Sequence, residues 1–491
     1  MLRFSRAWLL LVGAIAVLAL VAVACGGGDD EGTKTATATK TATGTPKATA
    51  TKAATATPKA TVVATATPKA TSTAAATGTA APTGTATTGA TATPPPAGTE
   101  APTATPPPVV VEPDDGWSDT EILLGSHFAQ SGTYGASFAP VLAGFKAYIN
   151  YVNAEQGGVC GRKIVLDALD DNYDPARATE VIRKLVDQEK VFAIVLGLGT
   201  AAHSAVWEYL NEKGIPDLFV MTGAHKWPAT PEQHPWTFAG LPDYFIEGTL
   251  YGNWISANMP GTKVGVLYQN DDYGRDELAG VKNGLDPTKN EVVSEQAFES
   301  TAVSISSQVA NLKAAGVGAV ICGCIPGHAA QAIKGANALG WKPQWFIGYV
   351  NSDPVMFSYA SPGDMEGTLT MQGNKLSGWT DDPGIAAHIE IMKTYGNAPV
   401  GNFTVEGQLV AELTVHALSL TCDNPTHEGL KEAVESIQGW QSELMLEGGP
   451  GFSLSATDHN LVEAMRLLRA KLIPGGGGAW EYEGPILAFN P

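Results

Sequence analysis

Residues able to hold a small anion gather in two short turns. The first is Gly197-Leu198-Gly199-Thr200 and the second is Thr222-Gly223-Ala224-His225. Each follows a short, continuously apolar run (residues 191–196 and 218–220), the mark of a strand buried on both faces. Between them, residues 201–213 can run as a helix closed by Gly214. Strand, turn, helix, strand, turn is a parallel β/α unit. It sets both turns at the carboxyl ends of neighbouring strands, where open α/β sheets bind small molecules. Amides at the helix start, with the hydroxyls of Thr200 and Thr222, suit a carboxylate. The same residues also close β/α turns that hold no ligand. Gly197, Gly199 and Ala202 match a dinucleotide fingerprint too, but that fingerprint needs an acid at the end of the next strand, and Asp217 stands before it.

Other chemistries find little support. There is no G-x-S-x-G, no H-E-x-x-H and no phosphate loop, and the nine histidines are scattered singly. Asp271 and Asp272 sit in a turn before a helix, a place for capping rather than metal binding. No catalytic residue, metal or cofactor is expected. A secreted enzyme on this scaffold is the alternative to be weighed against a binding protein.

The elements that position these turns occupy only part of the chain. Residues 1–24 form an export signal: Arg3 and Arg6 make the basic start, residues 8–23 the apolar run, and Ala22-Val23-Ala24 precedes Cys25. Small residues before a cysteine resemble a bacterial lipobox, which implies cleavage there, acylation of Cys25 and attachment to the membrane outside the cytoplasm. Residues 25–116 collapse to Thr, Ala, Pro, Gly and a few Lys, the composition of a disordered tether. Eight of 30 Lys+Arg and seven of 49 Asp+Glu precede Trp117, so the remainder carries 22 against 42. Such an acidic surface argues against a nucleic-acid partner. That remainder is too long for one small core, and two lobes are expected. Cys160, Cys322, Cys324 and Cys422 can form disulfides in an exported protein, with pairing open. Cys322-Gly323-Cys324 reads as too cramped for a bridge between its own members.

Within the remainder, residues 121–125 open a strand that leads into Ser131-Gly132-Thr133-Tyr134-Gly135. Phe138, Val141, Leu142, Phe145, Ile149 and Val152 then recur at helical spacing. Strands at residues 163–168 and 191–196, with a helix started by Asp174-Pro175, give a doubly wound parallel sheet. The order repeats after a hinge near Pro242-Asp243. Strands are read at residues 263–268, 292–297 and 319–322, with helices at 304–315 and 328–339.

At this point the chain resembles the type I periplasmic-binding-protein fold, specifically the branched-chain amino-acid (Leu/Ile/Val-binding) solute-binding proteins of ABC importers. The resemblance spans about residues 121–489. It rests on SGTYG, GGVCGRKIVLDALDDNYDPARA (157–178), LGLGT, GVLYQNDDYGRDELAGVKNGL (265–285) and AAGVGAVICGCIPGHAAQAIKGANALGW (314–341). It implies α/β architecture: two doubly wound parallel-sheet lobes joined by a three-crossing hinge, closing on a solute without catalysis. Lobe 1 is assigned residues 117–243 and, after lobe 2 (244–366), residues 367–458. Residues 459–491 recross to lobe 2 and the hinge.

The resemblance further implies that Gly199, Thr200, Thr222, Gly223, Ala224 and His225 hold the solute's carboxylate and help hold its amine. Tyr134 lines the first lobe and Tyr273 closes from the second. Tyr349 stands where amino-acid binders place an acid against the ligand ammonium, so that acid is missing unless Asp353 or another residue substitutes. An aromatic or aliphatic acid, an amide or urea becomes as good a candidate as an amino acid, because an unpaired buried ammonium costs several kcal/mol. LFVMTGAHKW (218–227) is closest to a branch that includes aromatic-acid binders, and His225 or Lys226 can supply charge towards a carboxylate. The implied partners are a solute, ABC permease subunits and the membrane through the lipid anchor, with the protein a monomer. A ligand sensor feeding a membrane receptor is the alternative role.

Overall fold

The computed structural model describes residues 111–489. The export signal, Cys25 and the tether up to residue 110 lie outside them. The packed chain begins slightly before Trp117: the Asp114 amide donates to the Pro425 carbonyl, and its carboxylate accepts from the His427 amide at 2.7 Å.

The first lobe is built on β1 (Glu121–Phe128), α1 (Gly132–Tyr151), β2 (Lys163–Asp170), α2 (Pro175–Arg183) and β3 (Ala193–Val195). It continues through α3 (Thr200–Ser204), α4 (Trp207–Lys213), β4 (Asp217–Val220), α5 (Lys226–Ala229) and β5 (Thr237–Ala239). The sheet order is β2-β1-β3-β4-β5 and every pair is parallel. β3 and β4 are buried throughout, as their unbroken apolar sequences require. The single helix expected over residues 201–213 is two. Val206 leaves the helical region (φ −120°, ψ −15°) as its side chain enters the core with Ile194 and Leu210.

The second lobe follows with α6 (Tyr244–Asn258), β6 (Lys263–Gln269), α7 (Asp272–Gly284), β7 (Glu291–Phe298), α8 (Ser306–Ala314) and β8 (Ala319–Gly323). Next come α9 (Pro326–Ala338), β9 (Gln344–Ile347), the short α10 (Met356–Tyr359) and α11 (Pro362–Met365), and β10 (Leu369–Gln372). α12 (Pro383–Tyr395), α13 (Asn402–Leu420) and α14 (His427–Glu435) precede the hairpin of β11 (Ala464–Leu472) and β12 (Gly478–Ala488). The second sheet has the order β12-β11-β10-β9-β8-β6-β7. Its parallel part, β7-β6-β8-β9-β10, repeats the strand order of the first lobe.

One sequence expectation is corrected here. Residues 367–372 do not return to the first lobe. β10 lies parallel to β9 and antiparallel to β11 in the second sheet. Its buried sequence LTMQ needs partners on both sides, so the chain recrosses only after Gln372. α13 then packs on α1. Gly144 and Gly407 allow this approach, since a Cβ on either would fall about 2 Å from the backbone of the other helix.

Disulfides join Cys160 to Cys422 and Cys322 to Cys324, with Cα–Cα separations of 5.7 and 5.1 Å. The second pairing overturns the expectation that Cys322-Gly323-Cys324 is too cramped. β8 ends in this segment, and the turn there brings the two Cα atoms within normal bridging range. The first bridge ties the turn after α1 to the end of α13.

Candidate ligand-binding site

Both lobes share a switch point where the strand order reverses, between β1 and β3 in one and between β6 and β8 in the other. The carboxyl ends of these strands face each other across one cavity of about 470 Å³, open in part to solvent. Gly199, Thr200, Thr222, Tyr273 and Tyr349 line it, with Tyr173, Tyr244, Phe403 and Glu406 also in the wall. Most of the remaining surface is aliphatic, from Leu198, Met221, Leu241, Ile325 and Val350.

The hydroxyls of Thr200 and Thr222 lie 2.5 Å apart, so the two turns act as one polar patch. Gly199 precedes it with φ +96°, and a Cβ there would sit 2.4 Å from the Tyr173 ring. A side chain is excluded on both counts. Beneath this patch runs a buried chain of polar groups. His127 Nδ1 meets Asp171 at 2.8 Å, His127 Nε2 meets His203 Nδ1 at 2.9 Å, and His203 Nε2 meets Asp217 at 2.9 Å. Gly197 accommodates the pair, since a Cβ there would meet His203 Nδ1 at 2.6 Å and His127 Nε2 at 2.7 Å.

Tyr134 is not in the cavity wall. Tyr173 takes that place, stacked on Tyr134 at a ring separation of 4.0 Å, and the Tyr134 hydroxyl donates across the lobes to the Ser300 carbonyl at 2.5 Å. Tyr173 reaches its position because Asn172 and Tyr173 both adopt left-handed φ (52° and 60°). That costs backbone energy, offset by Asp170 and Asp171, whose carboxylates accept the amides of Asn172 and Tyr173 at 2.9 and 2.7 Å.

Gly223, Ala224 and His225 also lie outside the wall. Gly223 packs against the Pro242 carbonyl, and Ala224 is buried with Trp207 and Trp227. The His225 ring bonds Asp243 at 2.6 Å, which raises its pKa, and its amide donates to Asp276 of the second lobe at 2.9 Å. Lys226 donates to Ser204 at 2.7 Å and pairs with Asp272 across the lobes at 2.9 Å. These residues latch the mouth instead of facing a ligand carboxylate.

From the second lobe, Tyr273 is buried against Tyr244, with ring centres 4.3 Å apart, and donates to the Cys324 carbonyl at 3.2 Å. Asp271 caps its helix by accepting the Gly274 amide. Tyr349 is held through its amide, which donates to Glu247 at 2.6 Å. Its hydroxyl donates to Glu406 Oε1 at 3.1 Å. Burial pushes the Glu406 carboxyl up to about 8, so at neutral pH it is mainly the uncharged acid. Asp353 does not face the cavity and accepts the Phe403 and Val355 amides at 2.9 and 2.8 Å. An acid is therefore present after all, supplied by α13. Among the described residues no group of three or more His, Cys, Asp or Glu is arranged to hold a metal.

Two lobes of matching strand order, meeting over one apolar cavity with polar ends, define a solute-binding protein of the clamshell type. The chain belongs to the Periplasmic binding protein family, whose model matches residues 121–478. A Leu/Ile/Val-binding protein homologue of Brucella suis is 26% identical over 258 residues, 52% of this chain and 67% of that one. A branched-chain amino-acid ABC transporter protein of Thermus thermophilus with bound valine superposes with a TM-score of 0.66 at 20% identity, covering 75% of this chain and 96% of that one. A fatty-acid ABC transporter substrate-binding protein of Thermomonospora curvata does so with a TM-score of 0.65 at 24% identity, covering 76% and 94%.

Proposed function

We propose that the protein captures a small carboxylate-bearing solute with an apolar body and delivers it to an ABC permease. In this reading it works outside the cytoplasm, without catalysis and as a monomer. Lipid on Cys25 and the tether hold it at the membrane. The observation that carries the reading is the pairing of Thr200 and Thr222 at one end of a cavity whose other walls are mainly aliphatic and aromatic. One hydroxyl of the pair donates to the other, leaving one O–H to donate to the carboxylate, and the aliphatic and aromatic walls cover the body. Closure sets Tyr273 over the solute, and binding in the cleft biases the closed state.

Glu406 favours a second reading within the same class, an α-amino acid. An ammonium placed beside this carboxyl would draw it to ionise and supply the missing counter-charge. Calorimetric titration with butanoate, benzoate, leucine and valine separates the two. The first reading expects the simple acids to bind at least as tightly as the amino acids. Binding confined to ligands with a free ammonium would replace it by the second. Attachment is checked by labelled-lipid incorporation, expected in the natural chain and lost in Cys25→Ala.

A further inference from the structure

A second cavity, of about 610 Å³ with its solvent-open space counted, lies against the first. Tyr349 and Glu406 are in the walls of both. Its remaining surface comes from α13 (Leu409), from the irregular segment after α14 (Met445, Leu446 and Phe452) and from the chain recrossing into β11 (Val462). Asn374 lines it too, with Oδ1 buried and unpartnered. The partition is thus one tyrosine ring and one carboxyl, joined by the 3.1 Å hydrogen bond.

Resting on the carboxylate reading above, we infer that the second cavity receives the tail of an elongated amphipathic acid, whose head meets Thr200 and Thr222 and whose chain passes Tyr349 and Glu406. The two spaces have Tyr349 and Glu406 in common in their walls. The far walls are mainly apolar, with Glu463 the one further acid among them, and Asn374 Oδ1 offers an acceptor to a hydroxyl or amide on a substituted tail. Entry needs only a rotation of Tyr349 and Glu406 that breaks one side-chain bond. A compact solute leaves the partition shut, so one protein takes a range of chain lengths.

The test titrates the purified, delipidated full chain with straight-chain carboxylates from butanoate to dodecanoate, each below its micelle concentration. Affinity is expected to rise about fourfold per methylene beyond hexanoate, making dodecanoate at least about a thousandfold tighter than butanoate. Leu446→Trp and, separately, Val462→Trp place much larger side chains in the second cavity. Each is expected to collapse the dodecanoate-to-butanoate ratio to within about threefold of one. An affinity that peaks by hexanoate and then falls, or a ratio that neither variant moves, overturns the inference. Dodecanol separates the two readings. If it binds while every carboxylate fails, the head-group reading falls and the tail cavity stands; if neither dodecanol nor dodecanoate binds, the tail cavity falls.

Discussion

The hydroxyl of Tyr349, on the turn after β9, donates to the carboxyl of Glu406, on α13 of the opposite lobe, at 3.1 Å. This bond joins the two lobes, so the ionisation of Glu406 bears on a contact made between them. Its pKa is raised above the unfolded value by burial, to about 8. The folded state therefore holds a proton that the unfolded state has already lost between about pH 4.5 and 8. The stability Glu406 contributes is full below that window and declines as pH rises through it. Glu406→Gln should remove the decline, so the variant gains on the parent as pH moves from 5 to 8.5. Thermal denaturation at both values measures this; equal gaps at the two pH values would contradict it.

Thr222→Val keeps the shape of the turn and deletes one hydroxyl from the pair at 2.5 Å. A hydrogen bond to a charged group contributes roughly 1.5–3 kcal/mol, so carboxylate affinity should drop about ten- to hundredfold. The methyl ester of the same ligand should lose far less. Titration of both forms checks the difference.

Lys226 and Asp272 close the mouth at 2.9 Å, and both are partly exposed. Such a pair contributes at most about 1 kcal/mol and is screened by salt. Lys226→Met should speed solute release by about two- to fivefold at low ionic strength, with the gap narrowing in high salt. Stopped-flow release measurements at two salt concentrations decide it.

Gly199→Ala confronts both a φ of +96° and the Tyr173 ring at 2.4 Å. A loss of about 2–4 kcal/mol in stability is expected, with displacement of the Tyr173–Tyr134 stack. Chemical denaturation gives the magnitude, and near-ultraviolet dichroism follows the tyrosines.

The Cys160–Cys422 bridge closes a long stretch of chain far from the cavity residues. Replacing both cysteines by serine should cost about 2–4 kcal/mol of stability. Solute affinity at low temperature should stay within about twofold. A large affinity change would place the bridge in the closing motion.

Much of this arrangement was legible in the chain itself. Unbroken apolar runs announced the buried parallel strands, and the small residues after them marked Thr200 and Thr222 as cavity residues. What escaped were residues whose position depends on backbone far from the motif. Tyr173 enters the wall only through two left-handed residues, though the acid-rich Asp170-Asp171-Asn172 before it is a turn signal that points there. Glu406 belongs to a helix that returns to the first lobe late in the chain. A single acid inside the Phe403–Ala411 stretch, whose other polar residues are Thr404 and Gln408, was its visible trace. Reading Tyr134 as a wall residue failed because stacking on Tyr173 is a contact between the β2–α2 turn and α1 that spacing cannot reveal. β10 was misplaced because a short buried strand carries no mark of which sheet it joins.

The packing of α13 on α1 through Gly144 and Gly407 has a consequence for how the molecule is made. The ribosome produces α1 long before its covering helix, with the second lobe's strands β6 to β10 in between. Nascent chains halted before Asn402 would leave Phe138, Val141 and Phe145 without their partner surface. The first lobe is thus the earliest to be synthesised and cannot be the earliest to be completed, an exception to the usual rule that folding follows synthesis from the amino end.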